Sequence, residues 1–371
     1  MAVSQPVSES TFRSRSINIP GILRRLFGNQ EAILLVVLVL LIGGVGYDNG
    51  RFLTTRNMAN LFSGNAYIAV AALGMTMVII SKNIDISVGA LIVCLTIVSG
   101  RLSIADYPSW VSTDMAIALA WVLPVVVGAV VGAIIGFFVT YLRVPAIVVT
   151  LGFASILKGL LIMVTNGERV TGMPNGFGLA QVRPLEHVSL PIFEEFFQML
   201  TMPVFVMVIL MISAAIWMRY SAMGRSIYAV GGNEEAARLS GISQHRVIMT
   251  AFTLNGMFAG IASVIFATQF SVIQTTLPPI EMTIITATVV GGVSILGGTG
   301  TVIGPVLAAI LLITITKSLV FLDISPFWTK AIQGLLILVT VLVDLLRRSG
   351  QSPLSLVKGR IAPLRRSRQS A

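Results

Sequence analysis

"MAIALAWVLPVVVGAVVGAIIGFFVT" (residues 115–140) is 26 residues long and carries no charged side chain. A helix of about 20 apolar residues crosses the hydrocarbon core of a bilayer. The run is continuous rather than alternating, which excludes a strand of a membrane barrel. Nine further runs of this kind lie outward from it, at about 31–47, 59–80, 86–104, 144–165, 199–218, 247–269, 281–297, 301–322 and 328–346. A backbone in lipid must satisfy its own hydrogen bonds, so each run reads as a helix. The expected fold class is an all-α membrane protein, a polytopic bundle of about ten transmembrane helices with one short cytoplasmic helix between spans.

Composition agrees. The 371 residues are 55% hydrophobic and 11% charged, with a mean hydropathy of +0.92. A soluble domain is about 45–50% apolar and ~25% charged. The net charge of +10 sits at the flanks of the runs. Arg13, Arg15, Arg24 and Arg25 precede the first, and Arg347, Arg348, Lys358, Arg360, Arg365, Arg366 and Arg368 follow the last. Lys and Arg stay on the cytoplasmic side of such proteins. Ten spans put both ends on one side, and that side then holds 17 of the 25 basic residues. The expected organisation is a basic cytoplasmic tail (1–30), a membrane domain (31–346) and a second basic cytoplasmic tail (347–371). No basic folded domain is left over for nucleic acid. The longest outward loop, about 166–198, is expected to form a small cap.

Several chemistries are excluded. The single cysteine, Cys94, permits no disulfide within the chain, and two histidines, His187 and His245, make no zinc cluster. No G-x-x-x-x-G-K-[ST] loop is present to cradle ATP phosphates. "GGTGTVIG" (297–304) places its glycines one residue off the dinucleotide fingerprint. It reads as a turn or helix break. No catalytic residue, metal or cofactor is expected.

One stretch breaks the apolar pattern: "YAVGGNEEAARLSGISQHR" (228–246). Asn233 is a good N-cap, Glu234 and Glu235 suit the positive end of a helix dipole, and Gly241 fits the position that ends a helix. A helix of about two turns is marginal alone and needs packing. Two readings stand: a surface helix lying on its own bundle, or a docking helix for a cytoplasmic partner.

Other residues carry paired readings. Asp85 is expected as N-cap of the third helix, the alternative being a gate element on the inner side. Lys158, within the fifth span, costs about 3 kcal/mol on insertion scales. It is expected to snorkel outward, the alternative being a wet cavity. Ser63 and Asn65 either line a solute path or make interhelical hydrogen bonds. Gly128, Gly132 and Gly136 form a small-residue face for close packing.

The residues of the polar stretch also carry a resemblance. Glu235-Ala236-Ala237 followed by Gly241 resembles the coupling segment of ABC-importer permeases, without the Leu-Pro that closes the broader motif. "NIDISVGAL" (83–91), "VPAIVVTLGF" (144–153), "GRSIYAVGGN" (224–233) and "VVGGVSILGGTGTVIGPVLAA" (289–309) are similar to the sugar-permease branch, the ribose, rhamnose and autoinducer-2 group. The resemblance implies a subunit that performs no covalent chemistry. It implies a cytoplasmic ATP-binding subunit gripping Asn233, Glu235, Ala236, Ala237 and Gly241, a periplasmic sugar-binding protein, and a second permease copy or paralogue. Two competitors stand beside it: an ion-coupled secondary carrier and a non-transporting membrane scaffold. All fifteen acids read as lying in tails, loops or span ends, which argues against the carrier because ion coupling uses ionisable groups inside the membrane.

Overall fold

The computed structural model describes residues 30–174, 177–178, 200–270, 272–274 and 279–349, with side chains through 345. Nearly all of the two tails (1–29 and 350–371) and most of the 166–198 loop lie outside the described residues. Among the described residues the regular structure is helical, apart from one pair of two-residue strands. The helices are α1 (Gln30–Asp48), α2 (Thr55–Ser63), α3 (Ala66–Ile80), α4 (Val88–Ser103), α5 (Thr113–Thr140), α6 (Ala146–Thr165), α7 (Met202–Tyr220), α8 (Ala222–Gly232), α9 (Glu234–Leu239), α10 (Gln244–Ala267), α11 (Glu281–Val290), α12 (Ile303–Phe321) and α13 (Trp328–Ser349). A 3₁₀ turn, Gly50–Leu53, joins α1 to α2. Strands β1 (Val170–Thr171) and β2 (Val272–Ile273) pair antiparallel, Val170 opposite Ile273.

Eight helical segments are long and apolar enough to cross a membrane, α2 and α3 counting as one. The other two runs form shorter helices, α4 and α11. The α11 run differs most from its sequence reading. The run 281–297 has the length of a span, but the helix stops at Val290 after ten residues, about 15 Å against the roughly 30 Å of hydrocarbon. Glycines explain the stop: Gly292, Gly297, Gly298 and Gly300 have φ of 95°, 79°, 73° and 141°, in the left-handed region that helical backbone does not enter.

Helix α3 is the axis of the bundle. All of its residues are buried. A helix apolar on every side is one surrounded by others. Helices α10, α11, α12 and α7 pack around it, and α10 also packs against α4 and α5. The most extensive crossing is α5 on α10. A Cβ at Gly128 would overlap the Gly256 carbonyl, and one at Gly132 the Phe252 carbonyl. The reverse contacts are equally tight at Gly256 and Gly260. Small residues let helix backbones approach and gain dispersion contacts that lipid cannot match. Most buried hydroxyls bond within their own helix: Thr76 to Ala72 O, Thr96 to Ile92 O, Thr140 to Gly136 O and Thr288 to Ile284 O.

The bundle has two distinct ends. At the near end Gln30 Nε2 donates to Val290 O (2.9 Å), Gly298 N–H to Ile80 O (2.9 Å) and Ser294 Oγ to Asp344 Oδ2 (2.5 Å). The start of α1, the end of α3, helix α8 and the end of α13 therefore lie together. At the far end, Phe52 and Phe321 stack edge-on at 5.2 Å, and Gly100 of α4 packs on the β-pair at Ile273 and Val170.

Gly132→Ala should push α5 from α10 at a cost of about 1–3 kcal/mol, read as a lower melting temperature of the detergent-purified chain. Gly152→Ala, with no atom within 4 Å of the added Cβ, should leave it unchanged or raised.

Candidate functional site

Two places carry polar chemistry: the α8–α9 segment at the near end, and a cluster of ionisable groups inside the bundle. Helix α9 is fixed at both termini. The Asn233 side chain accepts from Ala236 N–H (3.0 Å). Beyond Leu239, Gly241 adopts φ 78°. Its N–H donates to Arg238 O and that of Ile242 to Ala237 O, both at 3.0 Å. This pair of bonds is the Schellman closure that a left-handed glycine permits. Arg238 meets the Glu235 carboxylate through two bonds, of 3.1 and 2.6 Å.

The two alanines part company. Ala237 is buried against the bundle, whereas Ala236 faces outward with Glu235, Arg238 and Leu239. Leu239 is 76% exposed. The outer face of α9 is thus an ion pair beside an uncovered leucine.

Helix α8 ties this face to the centre of the bundle. Ile227 and Val230 are buried. A Cβ at Gly231 would overlap Ile80 O, at the end of α3, and crowd Gly298 N. The Tyr228 hydroxyl donates to Gly300 O (3.0 Å). The stretch "GGTGTVIG" is therefore the seat on which α8 rests. Beside α9 opens a cavity of about 520 Å³ lined by Asn83, Arg143, Glu234, Arg238 and His245. The His245 ring stacks on Tyr141 at 5.4 Å.

The interior cluster has two parts. Asp85 is 1% exposed. Its Oδ1 accepts from Ser87 N–H (2.8 Å) and Ser87 Oγ (2.5 Å), and its Oδ2 from Asn255 Nδ2 (2.7 Å). The N-cap position of α4 belongs to Ser87, which corrects the expectation for Asp85. Asp85 instead bridges the α3–α4 link to the middle of α10. Asn255 escaped the sequence reading, although one amide centred in "AFTLNGMFAGIA" (251–262) was the available signal. Its Oδ1 has no partner among the described residues.

The second part is an ion pair. Lys158 Nζ lies 3.5 Å from Glu281 Oε1, so Lys158 does not snorkel outward. Glu281 opens α11 inside the bundle, against Gly89, where a Cβ would overlap its carboxylate. Asp85, in the α3–α4 link, and Glu281, at the start of α11, thus keep the loop and span-end positions expected of the acids, but both stand in the interior, 1% and 8% exposed. The long α11 run concealed this, because a full-length helix would have put Glu281 at a surface.

Ser63 is buried, its carbonyl accepting from Gln269 Nε2 (2.7 Å). Asn65 lines a cavity of about 310 Å³ toward the far end, with Tyr67, Thr283, Thr316 and Gln333.

Comparison with known proteins gives one family and a set of relatives. Residues 57–341 match the family described as the branched-chain amino acid transport system / permease component. The chain is 33% identical over 318 residues to the autoinducer 2 import system permease protein LsrC of Yersinia enterocolitica, covering 85% of this chain and 82% of the relative. It is 30% identical over 324 residues to the LsrC protein of Photorhabdus laumondii, covering 87% and 91%. It is 32% identical over 324 residues to that of Yersinia pseudotuberculosis, covering 87% and 86%. No solved structure matches.

Asn255→Leu should leave the Asp85 carboxylate buried with one donor fewer, a loss of about 1.5–3 kcal/mol. The expected reading is a lower melting temperature in detergent, with much of the loss recovered when Asp85→Asn is added.

Proposed function

Because the chain belongs to the branched-chain amino acid transport system / permease component family, we propose that it is the membrane-spanning subunit of an ATP-driven importer for a sugar-like solute, of the kind named by its autoinducer 2 relatives. A separate ATP-binding subunit docks on the exposed face of α9 from the cytoplasm. A periplasmic binding protein delivers solute at the far end, and a second permease copy or paralogue completes the path. The near end is then cytoplasmic, with both basic tails, in a bacterial inner membrane.

The observation that carries this reading is the rigid connection from α9 to α3. Helix α9 is capped at both ends, exposes Glu235, Arg238 and Leu239, and continues into α8. Gly231 and Tyr228 seat α8 on the end of α3 and on the loop between α11 and α12. Pulling on α9 therefore moves the buried axis of the bundle rather than a free loop. Asn233 and Gly241 hold the helix, Ala237 packs it down, and Glu235 and Ala236 meet the partner.

Interior carboxylates are also the equipment of ion-coupled carriers. Here Asp85 is hydrogen-bonded by Ser87 and Asn255, and Glu281 has its counter-charge in Lys158. Neither is poised as a vacant ion site.

Glu235→Lys combined with Ala236→Trp alters only the outer face of α9. The mutant chain should fold as the native one does and lose co-purification of the ATP-binding subunit encoded beside it. Undiminished co-purification, or gradient-driven uptake of autoinducer 2 by the purified chain alone in liposomes, would overturn the reading.

A further inference from the structure

Lys158 stands farther from the ends of its span than any other charged residue of the described long helices. Its Cα is about 18 Å from the start of α6 and about 10 Å from the end, at 1.5 Å per residue. A lysine stem that long has the reach to approach the far surface. It takes the opposite course: Cα–Cβ bonds lean toward a helix N-terminus, and the ammonium meets Glu281 at 3.5 Å. Glu281 is level with Gly89, about 21 Å along α4 from its far end. The pair is therefore deep in the bundle.

The pair is lopsided. The Glu281 side chain is 11% exposed and that of Lys158 56%. Glu281 is held by its place at the start of α11 and by the missing Cβ of Gly89. The half-exposed ammonium stands on the open face of α6, with exposed Ser155 and Gly159 beside it and Leu151, Ile156 and Ile162 around them. The outward face of α5 offers a contrast: the large side chains it presents within the span are all apolar, among them Leu119, Val122, Val126, Val130 and Phe137. An ammonium turned to lipid at a span centre costs about 2.5–3.5 kcal/mol. Ionisable groups within spans face the bundle interior or a water-filled cavity.

We propose that the open face of α6 lines the aqueous solute path and that the Lys158–Glu281 pair is its polar contact for a neutral, hydroxyl-rich solute. This rests on the permease reading above. The pair offers a donor and an acceptor side by side at zero net charge. A solute hydroxyl accepts from the half-exposed ammonium while the buried carboxylate holds that ammonium in place, and the pair's zero net charge favours an ion of neither sign.

Replacing the single cysteine, Cys94→Ala, gives a cysteine-free chain in which Lys158→Cys and Val126→Cys are introduced separately. In membranes, a charged methanethiosulfonate that does not cross lipid should modify position 158 and spare position 126. Equal protection of both would mean that α6 faces lipid and would overturn the proposal. In the complex assembled with its ATP-binding subunit and binding protein, Lys158→Met should lower autoinducer 2 uptake about tenfold, the worth of one charge-assisted hydrogen bond. Adding Glu281→Gln removes the lone buried carboxylate and should not restore uptake. Unchanged uptake with Lys158→Met, or full recovery in the double variant, would also overturn it. Failure of the native complex to import autoinducer 2 would count against the permease reading instead, and the labelling contrast would still decide the pair.

Discussion

Hydrocarbon offers no partner to a free N–H or C=O, and each one left bare costs several kcal/mol. That constraint makes the chain helical, and it also dictates where the helices are allowed to stop. Two links, at 81–87 and 291–302, interrupt otherwise apolar runs. Both are wrapped around α3 and α10 rather than left on the lipid face. Asn83 N–H returns to Val78 O and Gly298 N–H reaches Ile80 O. Where backbone does not satisfy itself, a side chain does, as Asp85 does for Ser87 N–H.

Close packing is the second consequence. Lipid is as apolar as leucine, so helices associate here through contact rather than through water release. Glycine supplies that contact in two settings. Between α5 and α10, Gly128 and Gly132 meet Gly256 in the middle of two regular helices. At the near end, Gly231 and Gly298 seat α8 on the terminus of α3. The first contact fixes the bundle, and the second joins a soluble helix to it. A six-residue helix has too few hydrogen bonds to persist alone. Its caps and its seat make α9 a stiff handle.

Charge inside the bundle follows the same accounting. Removing an ion from water costs several kcal/mol, and attraction recovers this only with good geometry and satisfied lone pairs. Asp85 reaches that condition with three donors, two from Ser87 and one from Asn255. Glu281 reaches it with Lys158 and the start of α11, where a helix dipole favours a carboxylate. The half-exposed ammonium distinguishes the second arrangement from the first, and it gives the face of α6 a polarity that the face of α5 lacks.

The sequence alone determined the all-α membrane class, the ten apolar segments, the capped polar helix at 234–239 and the small-residue face of α5, because each rests on local composition or on spacing within one element. Asn233 and Gly241 were legible for that reason. Tertiary structure decided the rest. Residues 281–297 are apolar enough for a span, and only the packed bundle shows a half-length helix with Glu281 buried at its start. Asp85 and Asn255 are 170 residues apart, as no spacing rule anticipates. Ala236 and Ala237 are identical in chemistry, and only the surface beneath α9 sends one inward and the other out. Periodicity records which residues avoid water, while the partner that each polar group finds depends on which distant segments the fold brings to the same depth.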